Sequence, residues 1–257
     1  MAPRPRLGKL NEPGERQVAW RLLLVILLWL TLAKPMVGIP YLGAGMVTLA
    51  AALQFVLPIH RADALGMPLS WIGLSLAGWR RDAKLALILT AVFFPPYALA
   101  YHLYVTQAHA WLIDWGLPGL ARFIPTGRWA PPVWPHEPSA WLALVLRSGD
   151  LLLTHVLGVA LPEETFFRGY LQPRLMRKWP ARTRLFGVAI GRAAVITTAC
   201  FALGHFLGEW NPLRLGPFFP GLIFAWLRNA SGTVVGAIAF HAACNLWGEV
   251  LFRAYVF

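Results

Sequence analysis

The stretch Leu161-Pro162-Glu163-Glu164-Thr165-Phe166-Phe167-Arg168-Gly169-Tyr170-Leu171 sets two adjacent carboxylates and an arginine into a chain that is otherwise strongly apolar. An ionisable group within hydrocarbon costs at least ~2.5 kcal/mol on insertion scales, so it is paired, faces a watery cavity or is functional. Glu164 and Arg168 stand four apart, the spacing of an intrahelical ion pair. Glu163 is turned by about 100° from Glu164 and cannot share that pairing equally. One carboxylate is thus committed and the other spare, and a spare carboxylate sheltered from bulk water is a candidate general base. The bland alternative is an ion-pair network in which both acids join Arg168.

Outward from this stretch, composition places the chain in a membrane. Its 257 residues are 58% hydrophobic and only 13% charged, with a mean hydropathy of +0.56, which is too apolar for an ordinary soluble domain. The expected fold is all-α, a polytopic transmembrane bundle of about seven to eight helices. The net charge of +12 sits in short clusters between apolar runs, so it reads as topology and not as a nucleic-acid surface. Cys200 and Cys244 both fall in apolar runs and form no disulfide framework. No small-residue cleavage site follows the first apolar run, which is expected to stay as a helix.

Seven runs qualify as spans: residues 18–33, 41–59, 85–105, 141–161, 186–206, 215–227 and 233–252. Residues 1–17 read as a disordered cytoplasmic arm, 18–140 as N-terminal helices with an interfacial connection, and 141–257 as a second transmembrane core. Lys and Arg clusters alternate between heavy and light along the loops, which argues for a cytoplasmic N-terminus. Pro95-Pro96 is expected to kink or split the third span. Residues 106–139, with Trp111, Trp115, Trp129, Trp134 and Pro131-Pro132, form the longest external connection and read as an interfacial piece.

Polar groups recur inside the later runs. Arg147 and Asp150 are three apart and are expected to pair. His155 lies eight residues before Glu163, on roughly the same face if Pro162 leaves the helix intact. The fifth run carries Thr197, Thr198, Cys200, Phe201 and His205; the last carries Phe240, His241, Cys244 and Asn245, with His241 and Asn245 on one face. Three separate apolar segments therefore each supply groups of the kind used to activate water and stabilise an oxyanion.

The ordered set Glu163-Glu164-x-x-x-Arg168, Phe201-x-x-x-His205 and His241-x-x-x-Asn245 resembles the CPBP family of intramembrane proteases, which includes type II CAAX prenyl endopeptidases and Abi-type proteins. The Phe-Phe-Arg-Gly-Tyr-Leu-Gln run around Arg168 and the segment from Pro220 to Leu227 are also similar to that family, and the likeness spans roughly residues 145 to 250. The resemblance implies a glutamic-type intramembrane endopeptidase in which Glu163 is the general base, His205 helps hold the water, His241 and Asn245 stabilise the oxyanion, and Glu164 and Arg168 orient the site. It implies no cofactor; the alternative is zinc on Glu163, His205 and His241. No HExxH helix is present.

The expected partner is a protein or peptide substrate carrying a C-terminal sorting or processing signal, in contact with membrane lipid, and no nucleic acid. The expected setting is a bacterial inner membrane. The competing classes are an ion- or proton-coupled transporter and a non-catalytic membrane scaffold. The polar groups are confined to the second half and lack the paired broken helices of inverted repeats, which weighs against transport.

Overall fold

Apolar runs become helices in this chain because a backbone in hydrocarbon must satisfy its own N–H and C=O groups. The structure, a computed structural model, describes residues 13–36, 38–130 and 136–257. Residues 1–12 of the expected arm, and Pro131, Pro132 and Trp134 of the external connection, lie outside the described residues. Nine helices follow one another among the described residues: α1 (Pro13–Ala33), α2 (Leu42–Ala64), α3 (Trp79–Thr106), α4 (Ala108–Asp114), α5 (Pro118–Ala121), α6 (Pro138–Lys178), α7 (Arg192–Glu209), α8 (Phe218–Ser231) and α9 (Val235–Arg253). Strand β1 (Arg128–Trp129) pairs with β4 (Tyr255–Val256), and β2 (Thr183–Leu185) pairs with β3 (Val188–Ile190), both antiparallel. The fold is an all-α membrane bundle, and α1, α2, α3, α6 and α9 are long and apolar enough to cross a bilayer.

Several helices differ in extent from their apolar runs. α1 starts at Pro13, so residues 13–17 are helical and not part of a disordered arm; Glu15 in its first turn forms an ion pair with Arg61 of α2. α3 continues unbroken through Pro95-Pro96. The run expected to end at residue 161 is one 41-residue helix to Lys178. It passes through Pro162 by means of two π-helical turns, Thr154–Ala160 and Thr165–Leu171, on either side of Leu161–Glu164. Pro162 has no N–H to give to the preceding turn, and a widened turn tolerates that loss where a regular one would break. The fifth run begins its helix only at Arg192, because residues 183–190 turn back as the β2–β3 hairpin. In the sixth, a 3₁₀ turn at Pro212–Leu215, capped by Asn211, precedes α8.

The second half of α6 is the centre of the molecule. Phe166, Tyr170, Leu171 and Leu175 are fully buried among Leu23 and Ile26 of α1, Phe201 of α7, Phe224 of α8 and Phe240 of α9. Gly169 makes one approach possible: a Cβ there would stand 2.2 Å from the carbonyl oxygen of Ile72. Arg174, one turn on, lays its guanidinium over the Trp71 ring at 3.6 Å and donates to the Tyr170 carbonyl. α3 lies along α9, with Phe94 stacked on Trp247 and Thr233 donating to Asp82.

The first half of α6, by contrast, exposes almost every side chain, among them Leu142, Val145 and Leu146. Arg147 and Asp150 are exposed there, and the expected pairing between them is not formed.

Candidate active site

Arg168 organises the site. It is 0% exposed, and the π turn that contains it opens immediately after Glu164. Its Nη1 donates to Glu164 Oε1 at 3.2 Å, and its Nη2 donates to the Gly221 carbonyl of α8 at 3.1 Å. The guanidinium lies 4.3 Å over the Phe201 ring and 5.2 Å from that of Phe224, so aromatic faces replace the water it has lost. Thr198 Oγ1 donates to the same Gly221 carbonyl at 3.2 Å. A Cβ on Gly221 would meet Thr198 Cγ2 at 2.7 Å and Arg168 Nη2 at 2.9 Å, so this position must be glycine for α8 to come so close.

Glu164 is likewise 0% exposed, and its Oε1 accepts a second hydrogen bond from His241 Nδ1 at 2.9 Å. One carboxylate therefore joins α6 to α9 directly, and through Arg168 to α8. His241 is held flat on Phe224, with centroids 4.7 Å apart and planes at 15°, and edge-on to Phe201. With Nδ1–H spent on Glu164, its Nε2 faces Glu163 Oε2 at 3.7 Å, beyond hydrogen-bond range. The Glu163 side chain is 18% exposed, and its Oε2 has no hydrogen-bond partner among the described residues. Both bonds to Glu164 fall on Oε1; its Oε2, like that of Glu163, has no hydrogen-bond partner among the described residues.

His205 and Asn245 make no hydrogen bond or ion pair with either glutamate among the described residues. His205, half-buried on α7, donates its Nδ1–H to the Phe201 carbonyl at 3.0 Å, which leaves Nε2 as an acceptor. Its ring packs on Phe201 at 4.6 Å, and His241 meets the same ring edge-on at 5.8 Å. Among the described residues no ion-pair contact joins His205 to either glutamate. Asn245 is half-buried one turn beyond His241 on α9. His155 lies on the π turn that packs against α9, and its Nδ1 is enclosed and has no hydrogen-bond partner among the described residues. Eight residues of regular helix would place it about 80° off Glu163; the extra residue of the π turn takes up most of that difference.

Among the described residues no group of three or more His, Cys, Asp or Glu side chains is arranged to hold a metal ion. Of the residues named for the zinc alternative, His205 and His241 each turn Nδ1 to an oxygen and leave Nε2 open, and His241 Nε2 stands 3.7 Å from Glu163 Oε2.

The Gly221 carbonyl, Thr198 and the Phe224 ring were not singled out as site groups from the sequence. A signal for two faces was present. Thr198, Phe201 and His205 stand at i, i+3 and i+7, as do Gly221, Phe224 and Arg228, whose Nε donates to the Arg168 carbonyl.

Residues 140–247, from the start of α6 to Trp247 of α9, match the family described as type II CAAX prenyl endopeptidase Rce1-like. The match supports a membrane protease of the CPBP family. The matched segment contains every candidate site residue, and the match supports a CAAX-type intramembrane endopeptidase acting on a peptide substrate. Comparison with curated proteins and with solved structures gave no match. The first three helices lie outside the matched segment and pack onto it: α1 against α7, α2 against α6 and α3 against α9.

Proposed function

We propose that this protein is a glutamic-type intramembrane endopeptidase in which Glu163 activates the hydrolytic water. The observation that carries the reading is the asymmetry of the two adjacent carboxylates. Glu164 is 0% exposed and its Oε1 is bonded to both Arg168 and His241, whereas the Glu163 side chain is 18% exposed and makes no hydrogen bond among the described residues, its Oε2 standing 3.7 Å from His241 Nε2. Glu163 takes a proton from water as the water oxygen attacks the scissile carbonyl carbon, and then returns that proton to the leaving amine. His205 Nε2, an acceptor because Nδ1–H is spent on Phe201, holds the second water hydrogen. The Asn245 amide and His241 Nε2, in its protonated form, donate to the developing oxyanion. Glu164 and Arg168 do not touch the reacting atoms; they fix the His241 ring.

The substrate is a membrane-associated protein with a C-terminal sorting or processing signal, and the setting is a bacterial cytoplasmic membrane with the N-terminus inside. Support for an intramembrane cleavage site comes from depth. Glu163 lies about 22 Å along α6 from Lys178, within the thickness of the hydrocarbon. In cells, replacing the wild type by Glu163→Gln should make an uncleaved precursor accumulate in the membrane proteome while the variant remains inserted at normal abundance. Normal processing by Glu163→Gln would refute the general-base assignment. Turnover by the purified wild type should persist in the presence of a strong chelator; loss on chelation with recovery on adding zinc would replace this chemistry by a metal-based one.

A further inference from the structure

The β2–β3 hairpin carries a residue that its turn does not favour. Leu185 pairs with Val188, so the loop is the two residues Phe186 and Gly187, both at positive φ (51° and 78°). Such turns favour Asn-Gly, because few side chains tolerate the left-handed region, and bulky ones least. Phe186 has this backbone conformation and is nevertheless 88% exposed, with Leu185 exposed beside it. Turn chemistry and water both disfavour phenylalanine here.

The hairpin does not stand out into water by itself. Trp226 Nε1 donates to the Leu185 carbonyl and Asn229 Nδ2 to the Ala189 carbonyl, each at 2.9 Å, which ties both strands to the last turns of α8. Asn229 Oδ1 in turn accepts from Gln172 of α6 at 2.9 Å. The hairpin begins five residues after Lys178, where a 41-residue apolar helix ends, so it lies at the edge of the bilayer. Around it the chain has one sign of charge. No Asp or Glu occurs between Glu164 and Glu209, and Lys178, Arg182, Arg184 and Arg192 are exposed.

We propose that this hairpin is a membrane-surface anchor that rests on anionic lipid. Phe186 and Leu185 enter the boundary between headgroups and acyl chains, and the flanking Lys and Arg side chains take the phosphates of anionic headgroups. An apolar tip flanked by basic residues is the chemistry of an interfacial segment. The rigid link through Asn229 and Gln172 makes the anchor part of the bundle.

The test uses the full chain with Cys200→Ser and Cys244→Ser, a bimane fluorophore on Phe186→Cys, and reconstitution into phosphatidylcholine vesicles with and without phosphatidylglycerol. The expected result is strong quenching by brominated lipid, weak quenching by aqueous acrylamide, and deeper burial of the probe when phosphatidylglycerol is present. Arg182→Gln with Arg184→Gln should remove that dependence on phosphatidylglycerol. Equal, high acrylamide access in both vesicle types overturns the proposal. Disulfide cross-linking of Phe186→Cys between copies also overturns it, in favour of self-association. A Phe186→Asn control shows whether the tip residue holds the fold. Asn suits the turn, so its melting temperature in detergent should equal or exceed that of wild type, and a marked fall would make Phe186 a packing residue and overturn the anchor.

Discussion

At the scale of single residues, two neighbouring glutamates differ because their surroundings differ. Glu164 balances a guanidinium that has no access to water, and removing one partner of such a pair leaves an uncompensated buried charge at a cost of about 3–5 kcal/mol. Glu164→Gln should therefore lower the melting temperature markedly, with activity lost through unfolding, whereas Glu163→Gln should melt near the wild type and lose only turnover. Thermal unfolding of the two variants side by side separates the roles. Asn245 bears on the transition state alone in the proposed mechanism. Asn245→Ala should reduce kcat about 10²–10³-fold while leaving KM nearly unchanged, and a change confined to KM would assign Asn245 to substrate binding instead.

At the scale of elements, α6 does two things that a regular helix does not. It passes a proline in its interior, and it turns Glu164 and Arg168 toward the same neighbours; two π turns on either side of Leu161–Glu164 accompany both. Its approach to the Leu69–Ile72 turn depends on a missing side chain. Gly169→Ala would set a Cβ 2.2 Å from a backbone oxygen, which cannot move aside as a flexible side chain would. This variant should be destabilised by more than the ~1–3 kcal/mol typical of overpacking, read as a fall in melting temperature. Gly221→Ala meets side-chain atoms at 2.7 and 2.9 Å instead. It should fold but push Arg168 off the Gly221 carbonyl, lowering stability less than Gly169→Ala does.

At the scale of the whole molecule, the helices before residue 140 complete the core instead of standing apart from it. Phe94 of α3 stacks on Trp247 of α9, Asp82 is buried against Thr233, and the Ile72 carbonyl closes on Gly169. Residues 141–257 expressed alone should therefore fail to form a protease-resistant membrane core, as limited proteolysis in detergent would show. Co-expression with residues 1–140 should restore it. Thr233→Val leaves Asp82 without that hydrogen bond and should cost about 1–3 kcal/mol of stability.

What the sequence by itself determined follows from local chemistry. Apolar runs of spanning length required an all-helical membrane bundle, since nothing else satisfies a backbone in lipid. The four-residue spacing of Glu164 and Arg168 dictated their pairing, because that distance is internal to a helix. The convergence of His241 with Glu163 and Glu164 was legible only through the order of motifs. The extent of α6 through Pro162 and the start of α7 at Arg192 were not legible, because they depend on turn geometry, and neither was the absence of a pair between the exposed Arg147 and Asp150. Only the tertiary structure decided which nitrogen of His241 meets which glutamate, and that the Gly221 carbonyl and the Phe201 and Phe224 rings receive Arg168. These contacts join residues on different helices, whose rotation and register are set by packing and by close approaches such as that at Gly169, and no spacing along the chain encodes those.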